Sequence, residues 1–343
     1  MSKPSWVIHT IPGLGRVLLS EMRTARMLDG RAKPTTLFQR NHDLIFLQRT
    51  AKAVTPTLRV AEDAQECIVF GRFKISHAQF DVLSEAMLQR RGAWRVNVSV
   101  DGKTFTRQDL QRFVIQRLRA MEVRIDEDEG ENELNVFAID ESYYICTPRW
   151  KAEEVPGRSL RMIERQGALP PTAAAAMAFL AEPKTGETIL DPVCGSGTLL
   201  AEAAHMQPGA KLIGFDTDAQ AVSSAKRNLE FADGARLERK DGAATGLAAG
   251  SVDVFLANLP FGKQFGDKAG NAVLYRRLFD EMIRIGKGTT WRAVILTSDD
   301  KAVDTAKAGM TGVDFEPRLK VKVRGELARV WIVRPGGAAA RSR

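Results

Sequence analysis

The chain is poor in several residues that would place it in a protein class at once. Its 343 residues include three cysteines, three tyrosines and four histidines, and only 7% are aromatic. Cys67, Cys146 and Cys194 are too few and too scattered for a disulfide framework or a zinc cage, which points to a reducing compartment. His9, His42, His77 and His205 have no ligand spacing, so no metal site is expected. No Ser-His-Asp or Cys-His set suggests a protein nucleophile. No uncharged run reaches the ~18 residues of a membrane span, and collagen and heptad periods are absent. The opening Met-Ser-Lys-Pro-Ser-Trp lacks a basic-then-apolar signal pattern. These absences predict a soluble, cytoplasmic protein with no membrane contact.

What is present is a chain that is 44% apolar and 27% charged, long enough for two or three domains with their own cores. The formal net charge is +8, and most of the excess falls in residues 1–100, with 15 Lys and Arg against 8 Asp and Glu. Such a balance is compatible with a polyanionic partner. The acidic run Asp126–Glu133 reads as a solvated loop.

The first part of the chain has a mixed α+β pattern. Trp6–Thr10 reads as a strand, Arg16–Arg26 as a helix and Leu44–Leu47 as a strand. Gly13-Leu14-Gly15 fits a strand-to-helix turn better than a phosphate loop, because no Lys-Ser/Thr follows. A second unit begins near residue 65. Trp94–Val100 alternates as a half-buried strand does, and Thr106 caps a helix running to Arg119, with Asp109 completing a capping box. Leu134–Ile139 and Ser142–Cys146 form a hairpin around Asp140-Glu141. Arg107, Arg112, Arg117 and Arg119 stud the helix, either as a solvated face or as a phosphate-tracking one.

Residues 151–170 connect to a region of different character. A helix of small residues, Thr172–Leu180, precedes strand-like runs at Thr188–Leu190, Leu212–Phe215, Val252–Ala257 and Ala293–Thr297. Alternating β and α elements predict a mostly parallel, doubly wound α/β sheet.

The chemistry gathers at the ends of those strands. Asp191-Pro-Val-Cys-Gly-Ser-Gly-Thr198 joins the first strand to a helix, where Gly195 and Gly197 let a ligand approach the backbone. Cys194 lines that loop. One βαβ unit later the next strand ends in Asp216-Thr217-Asp218, where a carboxylate can bind both hydroxyls of a ribose. A dinucleotide and S-adenosylmethionine both suit such an acid. The third glycine of the dinucleotide pattern is replaced by Leu200, and Asp191 suits a cationic amino-acid group better than a pyrophosphate. S-adenosylmethionine is therefore favoured, with Asp241-Gly242 placed to meet the adenine amine. The last strand end carries Asn258-Leu259-Pro260-Phe261-Gly262. An exocyclic base amine is a poor nucleophile because its lone pair is delocalised into the ring. A catalyst must accept its N–H bonds so that the nitrogen can pyramidalise. Asn258 offers a side-chain carbonyl, Leu259 a backbone carbonyl, and Phe261 a face for stacking a base.

With these motifs in place the sequence resembles the THUMP-domain RNA guanine-N2 methyltransferases over most of its length. DPVCGSGT resembles the family's cofactor loop, GALPPTAAAAM the segment before it, and NLPFG its Asn/Asp-x-Pro-Phe/Tyr-Gly motif. WRVNVSVDGKTFTRQDLQ and ENELNVFAIDESYYI resemble two ends of a THUMP domain, and WVIHTIPGLGRVLLSEM the start of the ferredoxin-like domain that accompanies it. The resemblance implies a ferredoxin-like domain at 1–62, a THUMP domain at 63–150, a linker at 151–170, a Rossmann-like methyltransferase domain at 171–336 and a tail at 337–343. It implies direct methylation of a flipped guanine in the acceptor region of tRNA by a monomer. The cofactor would lie over Asp191, Cys194, Gly195, Ser196, Gly197 and Thr198, with Asp216 and Thr217 at the ribose and Asp241 and Gly242 at the adenine. Thr172 would contribute from the preceding helix, and Lys103, Arg107 and Lys263 would touch RNA. Ribosomal RNA is the rival substrate. A DNA adenine methyltransferase faces the same amine problem, and a non-catalytic RNA-binding factor with a vestigial cofactor fold is the reading from a different class.

Overall fold

Alternating apolar and polar residues mark many strands in the first half of the chain, whereas runs apolar on both faces mark the second. The computed structural model describes residues 6–28, 34–38, 43–47, 54–72, 76–102, 106–158, 167–261 and 268–337. Within these, the chain forms two compact units, Met1–Thr10 with Leu19–Val155, and Ile11–Leu18 with Pro156–Arg343.

The first half opens with β1 (Trp6–Thr10), α1 (Gly15–Thr24), β2 (Thr35–Phe38) and β3 (Asp43–Leu47). It continues through β4 (Asp63–Arg72), α2 (His77–Leu88), β5 (Trp94–Asp101), α3 (Arg107–Arg119), β6 (Asn132–Ile139) and β7 (Ser142–Lys151). The strands form one sheet in the order β2-β3-β1-β4-β7-β6-β5, antiparallel except for the β5–β6 pair. Strands from residues 1–62 and from 63–150 thus share a single sheet, joined where β1 pairs with β4. Val96 and Val98 of β5 and Leu134 and Val136 of β6 turn one face toward Leu83, Val114 and Leu118 of the two helices. This is the period-two burial that the alternation dictates.

Thr106 caps α3, accepting the Asp109 N–H at 3.2 Å. The capping box expected there is incomplete, because Asp109 takes the Thr106 hydroxyl and not the Thr106 backbone N–H. Aspartate is one methylene shorter than the glutamate that usually reaches back. A full box stands at α2, where Ser76 and Gln79 bond reciprocally.

The second half consists of α4 (Pro171–Ala181), β8 (Thr188–Asp191), α5 (Thr198–Met206), β9 (Lys211–Asp216), α6 (Ala219–Asn228) and β10 (Arg236–Arg239). It ends with β11 (Val254–Asn258), α7 (Lys268–Ile285), β12 (Arg292–Thr297), α8 (Asp300–Lys307), β13 (Val313–Val323) and β14 (Glu326–Pro335). The sheet order is β10-β9-β8-β11-β12-β14-β13. The first five strands are parallel, and β14 and β13 are antiparallel additions at one edge. Leu190, Phe255, Ala257 and Ile295 pack against Tyr275, Leu278, Phe279 and Met282 of α7. In α4, Thr172 through Ala178 are all buried, and their small side chains let the helix lie close to its neighbours. Strand order reverses between β8 and β11, so the crevice at their carboxyl ends is where a doubly wound sheet binds its ligand.

Candidate active site

Three acidic strand ends meet at that crevice. Asp191 closes β8, is 1% exposed, and accepts the Val193 N–H at 3.0 Å. Burial, aided by the nearby Asp216, pushes its carboxyl well above the usual carboxylate range. A buried acid in this state gains most from a cation brought to it. The loop then turns through Gly195 (φ +54°) and Gly197 (φ +82°), both in the left-handed region. Around Gly195 a side chain would meet nothing within 4 Å, which leaves the loop backbone open to a ligand. At Gly197 a Cβ would come within 2.6 Å of Leu229, so this glycine serves packing at the N-terminus of α5. Ser196 and Thr198 are buried beside it. Burial also pushes the Cys194 thiol up, which keeps it neutral and unsuited to nucleophilic attack.

Asp216, at the end of β9, binds two loops together. One carboxylate oxygen accepts the Gly195 N–H at 2.9 Å and the other accepts the Asp218 N–H at 2.9 Å. Each oxygen keeps a second lone pair for a hydroxyl. Thr217 follows, exposed, its carbonyl taken by Arg239. Asp241 lies just past β10 and accepts the Ala243 N–H and, at 2.8 Å, the Arg277 guanidinium. The backbone at Gly242 runs so close to the β8 loop that a Cβ would sit 1.9 Å from the Pro192 carbonyl oxygen.

Asn258 ends β11, which pairs in parallel with β8 through Val254–Ile189 and Phe255–Leu190, so its tip lies at the same end of the sheet as Asp191. Its amide nitrogen donates to the Gly167 carbonyl at 3.4 Å. A carbonyl can only accept, so this contact turns the NH2 toward Gly167 and leaves Oδ1 facing away. Oδ1 is buried and has no hydrogen-bond partner among the described residues. The Leu259 N–H donates to the Leu296 carbonyl at 2.9 Å, and the Pro260 carbonyl accepts the Tyr275 hydroxyl at 2.6 Å. Phe261 is half-buried.

Thr172 is buried in the first turn of α4. Arg107 is the exposed first residue of α3 and belongs to the other unit. Arg112, Arg117 and Arg119 are exposed on the same helix. Lys103 and Lys263 lie outside the described residues. Tyr275 and Arg277 are site neighbours that motif reading does not find, and the contact of Gly167, the first residue of GALPPTAAAAM, with Asn258 is not visible in that segment either. The one signal in the sequence is that Tyr275 is among only three tyrosines. Among the described residues no group of His, Cys, Asp or Glu is arranged to hold a metal ion, and no helix is long and apolar enough to cross a membrane.

A Rossmann-like methyltransferase is the class that this fold and these strand ends describe, with S-adenosylmethionine as its cofactor. The buried Asp191, with no counter-cation among the described residues, the open backbone at Gly195 and the acids at the next two strand ends all fit that molecule's ammonium, methionine chain and nucleoside. Residues 158–328 match the RMKL-like methyltransferase domain family. The chain is 34% identical over 154 residues to the tRNA (guanine(6)-N(2))-methyltransferase THUMP3 of Mus musculus, covering 40% of this chain and 30% of that protein. It is 31% identical over 197 residues to the tRNA (guanine(6)-N2)-methyltransferase of Thermus thermophilus, covering 55% of this chain and 57% of that protein. The chain thus spans about a third of the first relative's length and somewhat over half of the second's. TrmN from Thermus thermophilus shares the fold, with a TM-score of 0.77 at 22% identity, over 96% of this chain and 99% of that one.

Proposed function

We propose that the protein methylates the exocyclic N2 amine of a guanosine in tRNA, in the acceptor region, by direct transfer from S-adenosylmethionine to a flipped base. The observation that carries this reading is the buried Oδ1 of Asn258 at the end of β11, which has no hydrogen-bond partner among the described residues. A buried acceptor with no donor costs about 1–3 kcal/mol, a penalty that an arriving amine N–H would relieve. The bound cofactor supplies an electrophilic methyl group on a sulfonium.

The chain's own groups do the rest. Asn258 Oδ1 and the Leu259 carbonyl accept the two N–H bonds, which draws the nitrogen lone pair out of conjugation and aims it. Phe261 stacks against the extruded ring, offsetting part of the few kcal/mol that unstacking costs. Asp191 holds the ammonium, the backbone from Cys194 through Thr198 follows the methionine chain, Asp216 and Thr217 meet the ribose, and Asp241 with Gly242 meets the adenine. Thr172 supports this wall from α4. In this reading the N-terminal unit is the ferredoxin-like and THUMP module that grips RNA, Lys103, Arg107 and Lys263 contact phosphates, and the protein acts as a cytoplasmic monomer. The names of the relatives, two tRNA guanine-N2 methyltransferases, support guanine in tRNA over adenine in DNA.

The test is methyl transfer from labelled cofactor into tRNA, rRNA and DNA offered separately, with the product nucleoside identified by mass spectrometry. N2-methylguanosine in the tRNA arm alone is expected, and Asn258→Ala should remove it while cofactor binding by calorimetry stays within about twofold. Label in rRNA alone would overturn the substrate, and full activity in Asn258→Ala would overturn the role of the amide.

A further inference from the structure

The Asn258–Phe261 tip is held from behind by a buried polar chain that runs through Tyr275. The Tyr275 side chain is fully buried, and its hydroxyl lies 2.6 Å from the Pro260 carbonyl and 2.7 Å from Thr297 Oγ1. Thr297, itself 0% exposed, accepts the Asp299 N–H at 3.0 Å. Asp299 in turn accepts the Asn271 amide at 3.1 Å and caps α8 through the Ala302 N–H.

The direction of this chain follows from donor and acceptor counting. A carbonyl can only accept and a backbone N–H can only donate. Asp299 N–H therefore donates to Thr297, the Thr297 hydroxyl donates to Tyr275, and Tyr275 spends its single proton on Pro260. Burial pushes the Tyr275 phenol up, so that proton stays in place.

What the last bond controls is one dihedral. The ring of Pro260 locks its φ near roughly −65°, and a following proline restricts Leu259 to extended backbone. Leu259 is further pinned by its N–H bond to Leu296. The only soft torsion left between Leu259 and Phe261 is ψ of Pro260, which the Tyr275 hydroxyl fixes by holding the Pro260 carbonyl.

We infer that Tyr275 is a positioning residue for methyl transfer, setting ψ of Pro260 and through it the place of the Phe261 face against which the target base stacks. The inference rests on the reading of residues 258–261 given under Proposed function. Tyr275 touches neither cofactor nor base in this account. It acts on where the base is held.

Tyr275→Phe removes only the hydroxyl, and Thr297→Val breaks the chain one link further back without touching Pro260. A displaced platform should lower kcat for methyl transfer into tRNA by about 10- to 100-fold in Tyr275→Phe, the scale on which roughly an ångström of misplacement acts. Cofactor Kd by calorimetry should stay within about twofold. Thr297→Val should lower kcat less, and the double variant should be no slower than Tyr275→Phe alone, because both changes cut one chain. Wild-type kcat in Tyr275→Phe, a loss of cofactor affinity in step with kcat, or multiplicative effects in the double variant would each overturn the inference.

A readout independent of turnover keeps failure of the catalytic reading distinguishable. In protein labelled with 5-fluorotryptophan, Phe261→Trp adds one 19F resonance to those of the five natural tryptophans. Adding Tyr275→Phe should shift that resonance. An unmoved resonance would sink the positioning role whatever the activity of the wild type, and a shifted one in an inactive wild type would uphold it while the catalytic reading fell.

Discussion

Glu281 on α7 stabilises the loop that follows Asp241. Its carboxylate accepts the Thr245 N–H at 2.9 Å and the Thr245 hydroxyl, and Arg284 grips both of its oxygens at 2.7 Å. The Arg284 hydrogen bonds, joined by those from Thr245, outweigh the opposing effect of burial and bring its pKa from 4.5 down to about 2. The Glu281 side chain is 10% exposed but the Arg284 guanidinium is 45% exposed, so solvent screens part of this pairing. A carboxyl that titrates near 2 when folded and near 4.5 when unfolded contributes, after allowing for that screening, on the order of 1–2 kcal/mol to folding at neutral pH. The folded pKa is the lower one, so this contribution is complete above about pH 4.5 and is lost as pH falls toward 2. Glu281→Gln keeps the shape and an acceptor oxygen but does not titrate. Hydrogen exchange of peptides from α7, read by mass spectrometry and corrected for intrinsic rates, measures the difference within the methyltransferase domain. The variant should exchange about tenfold faster at pH 7, and the gap should shrink steadily between pH 4.5 and 2.5. A gap of the same size at pH 7 and pH 3, or none at pH 7, would refute the electrostatic account.

Two further changes probe other parts of the methyltransferase domain. Gly242→Ala puts a methyl group against the Pro192 carbonyl. It should force the β8 and β10 loops apart at a cost of roughly 1–3 kcal/mol, weakening cofactor binding by about tenfold or more in calorimetry. Arg158 and Glu202 form a buried pair at 3.0 Å, with side chains 4% and 3% exposed. Arg158→Ala leaves a buried carboxylate without its guanidinium and should cost about 3–5 kcal/mol in urea unfolding, and Arg158→Met with Glu202→Leu should recover most of that loss.

The parts of the fold legible in the sequence are those whose signal is local. Trp94–Asp101 announces itself by alternation, the α3 start by Thr106, and the β6–β7 turn by Asp140-Glu141. Thr188–Leu190, Leu212–Phe215 and Val252–Ala257 mark three core strands, each of which runs one residue further to a polar end, Asp191, Asp216 or Asn258. Those polar ends are where a parallel sheet keeps its chemistry, which is why motif and strand end coincide. The β13–β14 hairpin is harder to see. Pro317, a register shift beside it and the charges of Arg318, Lys320 and Lys322 disguise an edge strand, since edges are protected by such residues. At the site, Asn258 and its neighbours stand in one short motif. Gly167, Arg277 and Thr297 do not, because each acts across 22 or more residues of chain, on Asn258, Asp241 and Tyr275. Local pattern carries no record of such contacts.

The contact between Asn258 and Gly167 bears on which residues are interchangeable at this position. The family motif allows asparagine or aspartate, and by size alone either would fit at the end of β11. Here the far side of the amide faces a carbonyl at 3.4 Å. A carboxylate would set two oxygens against each other there, with no proton between them, and such acceptor pairs repel. Aspartate at 258 would have to carry a proton at neutral pH merely to keep the geometry that asparagine has at no cost. The loop before α4 has in this sense already chosen the amide, although the two residues are 91 positions apart.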